Sequence, residues 1–88
     1  MYYLYMIKDV NNRLYVGITN NVDRRLATHN RKAGALFTSS SKFHLVFEEK
    51  YETLAQARKR EVQIKKWRRE KKEMLTLRYV NGLSTRMK

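Results

Sequence analysis

The 88 residues leave room for one domain and a modest core, and 20 Lys and Arg against 8 Asp and Glu give a formal charge of +12. That charge favours polyanions through counterion release, so nucleic acid is the leading partner, against the alternative of a merely basic protein. With no cysteine and only His29 and His44, disulfides, thiolate metal centres and a histidine zinc site are excluded, and any metal must be hard and oxygen-bound. No run approaches the about 20 apolar residues of a membrane span, and the N-terminus lacks a secretory-signal pattern. Cytoplasmic residence is therefore expected.

Tyr2 to Lys8 is aromatic and aliphatic on both faces, as in a central strand. Asp9, Val10, Asn11 and Asn12 make a polar connection in which Asn tolerates positive φ, and Leu14 to Thr19 returns as a second strand. An odd-length loop, for example Asp9 to Asn11, sets Tyr5 and Tyr15 opposite each other, whereas an even one puts them on opposite faces; the odd loop is expected. Gly17 inside a strand signals either a bulge, the commoner cause, or close approach of another group to the backbone.

Asn20, Asn21 and Asp23 are cap candidates for a helix on which Val22, Arg25, Leu26 and His29 share one side while Arg24 points away. Arg25 and His29 then flank the docking face; the plain alternative for such a cation is a stem lying along the surface with its head in water. Asn30 to Lys42 reads as a loop, with Gly34 as a helix stop and Thr38 to Ser41 as solvated chain or phosphate-binding hydroxyls. Phe43 to about Tyr51 alternates as a third strand, and His44 within it has no partner at metal spacing.

Thr53 with Gln56 forms a capping box, so a helix opens there. Its inward stripe is Leu54, Ala57, Glu61 and Ile64, with Trp67 at the margin. Glu61 is the anomaly, because a charged carboxylate left alone in a dry stripe costs several kcal/mol. It must be neutralised, paired with Arg58 or Lys65 at helical spacing, or coordinated to a cation. The flank bearing Arg58, Lys59, Lys65, Lys66 and Arg69 is either a solvated face or a phosphate track. After Trp67 a last helix, or a continuation of the previous one, ends at Gly82. The domain thus spans 1–82, with 83–88 a patternless, flexible tail. No repeat or Gly-rich phosphate loop is present.

The ordered set of two tyrosine-bearing strands, Tyr15-Val16-Gly17, an Arg and a His on the next helix and a Glu on a later one resembles the GIY-YIG nuclease superfamily. Tyr3-Leu4-Tyr5 matches the first half of that motif loosely. The phrases L-Y-x-G-I-T, R-R-L-x-x-H-N and I-K-K-W are similar to those of small stand-alone bacterial members, which in turn resemble the N-terminal domain of a bacterial excinuclease. The resemblance covers the chain to about Trp67. It implies an α+β fold of order β-β-α-β-α-α, a small three-stranded mixed or antiparallel sheet flanked by helices. It also implies metal-dependent endonuclease activity on DNA, structure-specific in repair or recombination, with RNA as a further partner. Carried onto this chain, Tyr5 or Tyr15 would help deprotonate water, Arg25 would hold the phosphate, His29 would assist proton transfer or bind phosphate, and Glu61 would ligate Mg2+ or Mn2+. Arg24, Arg58, Lys65, Lys66 and Arg69 would contact the nucleic-acid backbone. Asn81 stands where many family nucleases have a further site Asn, but its surroundings do not match, and it is left out. Two other classes compete: a catalytically weak nucleic-acid-binding module, and a basic interaction protein with an acidic partner.

Overall fold

The computed structural model describes residues 1–32 and 43–88. Its elements are β1 (Tyr2–Asp9), β2 (Leu14–Thr19), α1 (Val22–Lys32), β3 (Phe43–Tyr51), α2 (Leu54–Lys65) and α3 (Arg69–Val80). The expected element order and three-stranded sheet are present, and both pairings are antiparallel, with β1 central in the order β2-β1-β3. The first helix continues through Asn30 to Lys32, into the span expected to be loop. Gly34 and the Thr38 to Ser41 hydroxyls lie outside the described residues.

The central position of β1 explains its two apolar faces. Leu4 and Met6 on one face pair with Ile18 and Val16 of β2, and join Phe47, Ile64 of α2 and Leu75 of α3 in a fully buried cluster. Tyr5 and Ile7 on the other face are also buried, and there α1 brings its His29 ring against Tyr5 and Phe43. The sheet is thus sandwiched, with α2 and α3 on one side and α1 on the other. A register shift between Met6 and Ile7 leaves Val46 as the extra residue of β3, a bulge that lets Phe47 and Leu45 each keep a β1 partner.

The turn between β1 and β2 is built by Asp9. Its Oδ1 accepts the backbone N–H groups of Asn11 and Arg13, both at 2.9 Å, an Asx-type turn, and Asn12 takes φ 64°. The resulting register pairs Lys8 with Leu14 and Tyr5 with Gly17. Tyr5 and Tyr15 therefore share a face, as an odd loop requires, but they are diagonal neighbours rather than directly opposed. The reason is that Asp9 itself pairs back onto Arg13 through a 3.0 Å backbone hydrogen bond, placing the turn at Val10 to Asn12, not at Asp9 to Asn11.

The capping box of α2 is complete, with Thr53 Oγ1 accepting Gln56 N and Gln56 Oε1 accepting Thr53 N. Separate helices flank Trp67, and α3 ends in a Schellman motif: Gly82 has φ 69° and the N–H of Leu83 reaches Arg78 O at 2.8 Å. Residues of the C-terminal tail nonetheless contact the body of the fold. Arg60, with a side chain only 12% exposed, donates to Met87 O at 2.6 Å, to Thr85 O at 2.7 Å and to Glu49 Oε1 at 3.1 Å, and Met87 packs against the core. Local pattern could not show this, because the anchor lies in α2, a distant part of the chain.

Tyr51 joins that network by donating to Glu49 Oε1 at 2.8 Å. Burial first, then the Glu49 carboxylate, push its phenol up from 10.0 to about 12. A pKa higher in the folded than in the unfolded chain adds stability that is full below about pH 10 and is lost as pH rises through about 12. Urea titrations across that window should show a shallower alkaline loss for Tyr51→Phe than for the wild type. Identical slopes would mean that this phenol does not report on folding.

Candidate active site

Gly17 positions Tyr5. A Cβ at Gly17 would lie 2.5 Å from the Tyr5 hydroxyl oxygen and 2.7 Å from Cζ, distances at which no real side chain fits. The group approaching this backbone is the protein's own phenol, and the β1–β2 pairing runs through Gly17 without a bulge. With nothing projecting from the edge strand at this point, the phenol extends across β2 and ends 3.3 Å from His29 Nε2. The imidazole tautomer decides which of the two donates.

Four of the expected residues converge here. Burial is the largest influence on the Tyr5 phenol and raises its pKa; Arg25 acts in the opposite direction and Glu61 adds to the rise. Both charges therefore reach the same hydroxyl, one from α1 and one from α2, and the net result is a phenol above 10.0. The expectation that a neighbouring cation would depress it is not met by Arg25 alone, because desolvation outweighs that charge. The His29 ring is held against Phe43 at 5.5 Å, and Phe43 N donates to Asn30 Oδ1 at 2.8 Å, so the residue after His29 fixes the strand that buttresses its ring.

Tyr15 belongs to a different arrangement. Its hydroxyl donates to Asp9 Oδ2 at 3.2 Å and its ring meets Phe43 edge-on at 5.5 Å. Desolvation opposes the Asp9 charge, but the N–H groups of Arg13 and Asn11 and the Arg13 guanidinium outweigh it and hold the carboxyl below its usual range. Sequence reading missed this role of Asp9; the signal was its position just before Val-Asn-Asn-Arg, where an Asx turn forms.

Glu61 has a side chain 14% exposed and is flanked by Lys65 Nζ at 3.4 Å and Arg58 at 3.9 Å. Both expected ion pairs exist, at the long end of the range. Arg58 also lines a cleft of about 330 Å³ with Arg24, Arg25, Thr28, Asn20 and Tyr2, at the C-terminal end of β2 between α1 and the start of α2. Leu54, expected on the buried stripe, is 38% exposed on the same wall, being the first residue of its helix. Lys65 and Lys66 are exposed on α2 and just after it. Arg69 is not in the cleft: its guanidinium bonds to Asn12 O and to Glu73, which also holds Lys8 at 3.1 Å, so it clamps α3 to the hairpin turn. His44 is exposed in β3, and Asn81 caps α3.

The described residues contain no group of three or more His, Cys, Asp or Glu able to hold a metal ion. A lone, mostly buried carboxylate still fits a hard divalent ion that keeps most of its waters and takes further oxygens from a phosphate. Glu61 suits a hard, oxygen-bound divalent ion on that ground, whereas zinc, which prefers several nitrogen or sulfur ligands, does not fit.

A phenol laid over an edge-strand glycine thus meets His29 and feels the charges of Arg25 and Glu61, and the whole chain can be placed in a family. The chain belongs to it: residues 1–74 match the GIY-YIG catalytic domain, a family that acts on nucleic acids and whose nucleases generally use a divalent metal. Among its relatives, the UPF0213 proteins of Staphylococcus aureus strains Mu3 and Mu50 are each 40% identical over 72 residues, covering 81% of this chain and 88% of theirs. The solution NMR structure of a UPF0213 protein from Bacillus halodurans superposes with a TM-score of 0.58 at 32% identity, over 85% of this chain and 82% of that one. The chain is thus similar to small stand-alone bacterial members. No helix among the described residues is long and apolar enough to cross a membrane.

Gly17→Ala should displace the Tyr5 ring and cost about 1–3 kcal/mol through overpacking. In a double-mutant cycle with Tyr5→Val the penalty should largely vanish, giving a coupling on the order of 1 kcal/mol or more by urea denaturation. Additive effects would place the clash elsewhere.

Proposed function

We propose that the protein is a divalent-metal-dependent endonuclease that hydrolyses DNA phosphodiesters, with Tyr5, His29, Arg25 and Glu61 as its machinery. The observation that carries this reading is the meeting of Tyr5 and His29 at 3.3 Å within reach of both the Arg25 and the Glu61 charge. A buried phenol above its ordinary pKa is not a phenolate at neutral pH, so Tyr5 acts as a relay. Its oxygen takes a proton from the attacking water while its own proton passes to Nε2 of a neutral His29. The water oxygen bonds to phosphorus, the bond from phosphorus to the leaving sugar oxygen breaks, and that oxygen is protonated from solvent. Arg25 holds two phosphate oxygens with its planar fork. Magnesium or manganese on Glu61 would supply Lewis-acid stabilisation of charge on the phosphate and the leaving oxygen. Tyr15, whose proton is already directed to Asp9, supports the hairpin turn rather than the reaction. Arg24, Arg58, Lys65 and Lys66 steer the strand; Arg69 does so only secondarily, since it is occupied by Asn12 and Glu73. A cytoplasmic setting and structure-specific DNA in repair or recombination complete this reading.

One observation favours a second reading, a nucleic-acid-binding module that cuts slowly. Both Glu61 oxygens already face cations, Lys65 and Arg58, and a metal must compete with them.

Cleavage of duplex, single-stranded, flap and junction DNA in magnesium should cease on chelation and fall at least on the order of 10²-fold in Glu61→Gln and Arg25→Ala. Equal activity in these variants would assign the cleavage to another site, and binding without cleavage would favour the module. His29→Ala should also slow cleavage by about 10²-fold or more; activity equal to wild type would remove His29 from the proton path.

A further inference from the structure

We infer that the cleft at the C-terminal end of β2 receives an unpaired nucleotide of the substrate strand, its base against Tyr2 and its phosphate among Arg24, Arg25 and Arg58. This deepens the nuclease reading by naming the form of its substrate, and it rests on that reading only for the cutting step.

The cleft walls have two chemistries. Tyr2 provides an aromatic surface beside the aliphatic Ile18 and Leu54, while three guanidiniums, with Asn20 and Thr28, provide the polar wall. No acid lines it. An apolar planar group joined to an anion is what such a cavity accommodates, and a nucleotide is that in the most direct sense. At about 330 Å³ the space suits one such unit, not a double helix whose major groove alone is about 12 Å wide. Within a duplex each base face is covered by its neighbours, so an aromatic wall is of use only to a base that has left the stack.

The groups concerned are available. The Tyr2 ring takes part in none of the aromatic pairs found among the described residues, yet it is half-buried and held in the β1–β3 ladder opposite Tyr51, which makes it a stiff platform. Arg24 spends one donor on the neutral Asn20 amide oxygen at 3.2 Å. Arg58 is 66% exposed and only 3.9 Å from Glu61 at its nearest, so a phosphate can draw it away and relieve one of the two cations on that carboxylate. Arg25 connects cleft and chemistry, since it lines the former and its charge acts on the Tyr5 phenol. A nucleotide seated here lies next to the scissile phosphate, and preference for a flap, gap or single strand over intact duplex follows.

The test is fluorescence anisotropy in EDTA, so that binding is read without cutting, with an oligothymidylate, a blunt duplex and a duplex carrying a single-stranded flap. Wild type should bind the first and third more tightly than the second. Tyr2→Ala should weaken single-strand and flap binding by about 5- to 100-fold, the range for loss of one stacked base, and leave duplex binding within about twofold. Tyr2→Leu, which keeps apolar bulk in the strand, should lose the same preference, while Tyr2→Trp keeps it. A preference unchanged in the folded Tyr2→Leu protein, or equal wild-type affinity for all three probes, overturns the inference; if magnesium-dependent cutting persists in that case, the nuclease reading survives it. A folded wild type that binds none of the probes removes both.

Discussion

The ring of Tyr5 crosses the edge strand at its glycine, where the hydroxyl oxygen would stand 2.5 Å from any Cβ. This close fit determines where the Tyr5 hydroxyl ends up. It carries a phenol from the central strand, where burial is greatest, to the margin of the sheet, where α1 and α2 can both present charges to it. Without Gly17 the phenol has no path over β2, and the His29 contact at 3.3 Å has no second member. The rest of the fold keeps that geometry in place. Asp9 fixes the register that puts Tyr5 against Gly17, the cluster around Phe47 and Ile64 fixes the helix that carries Glu61, and Asn30 fixes the strand whose Phe43 supports His29.

The balance of charge around that phenol also separates what the site does alone from what it needs. Desolvation raises the Tyr5 pKa further than Arg25 lowers it, and Glu61 works in the same direction as burial. A cation placed near Glu61 would screen that carboxylate from the phenol and so favour loss of its proton. The two ion pairs of Glu61 are long, at 3.4 and 3.9 Å, and come from side chains 55% and 66% exposed, whose hold on the acid is correspondingly weak. In the proposed reading, the same carboxylate would be satisfied in the free protein and still be open to a metal.

Much of this was readable in the sequence because it depends on short-range chemistry. The Thr53 and Gln56 cap, the Gly82 stop, the face shared by Tyr5 and Tyr15 and the anomalous Glu61 each follow from local spacing along the chain. What was not readable depends on contacts across the chain. Gly17 gave notice of a close approach, but nothing local says that the approaching group is Tyr5, twelve positions earlier. The exact register escaped because the Asp9 side chain, more than the number of loop residues, decides where the turn begins. Arg69 and Arg60 look alike in a string of cations, yet one clamps the hairpin turn and the other straps the tail. Roles for cations cannot be separated until their acceptors are placed.

Of the two family-motif tyrosines only Tyr5 is free to handle the proton in this proposal, since the Tyr15 hydroxyl is already committed to Asp9. Single-turnover cleavage in magnesium by Tyr5→Phe and Tyr15→Phe tests that division of roles. Tyr5→Phe should lose on the order of 10² to 10⁴-fold, the usual range for removing a general acid or base, while Tyr15→Phe should stay within about tenfold of wild type. The reverse order, with Tyr15→Phe inactive and Tyr5→Phe close to wild type, would overturn it.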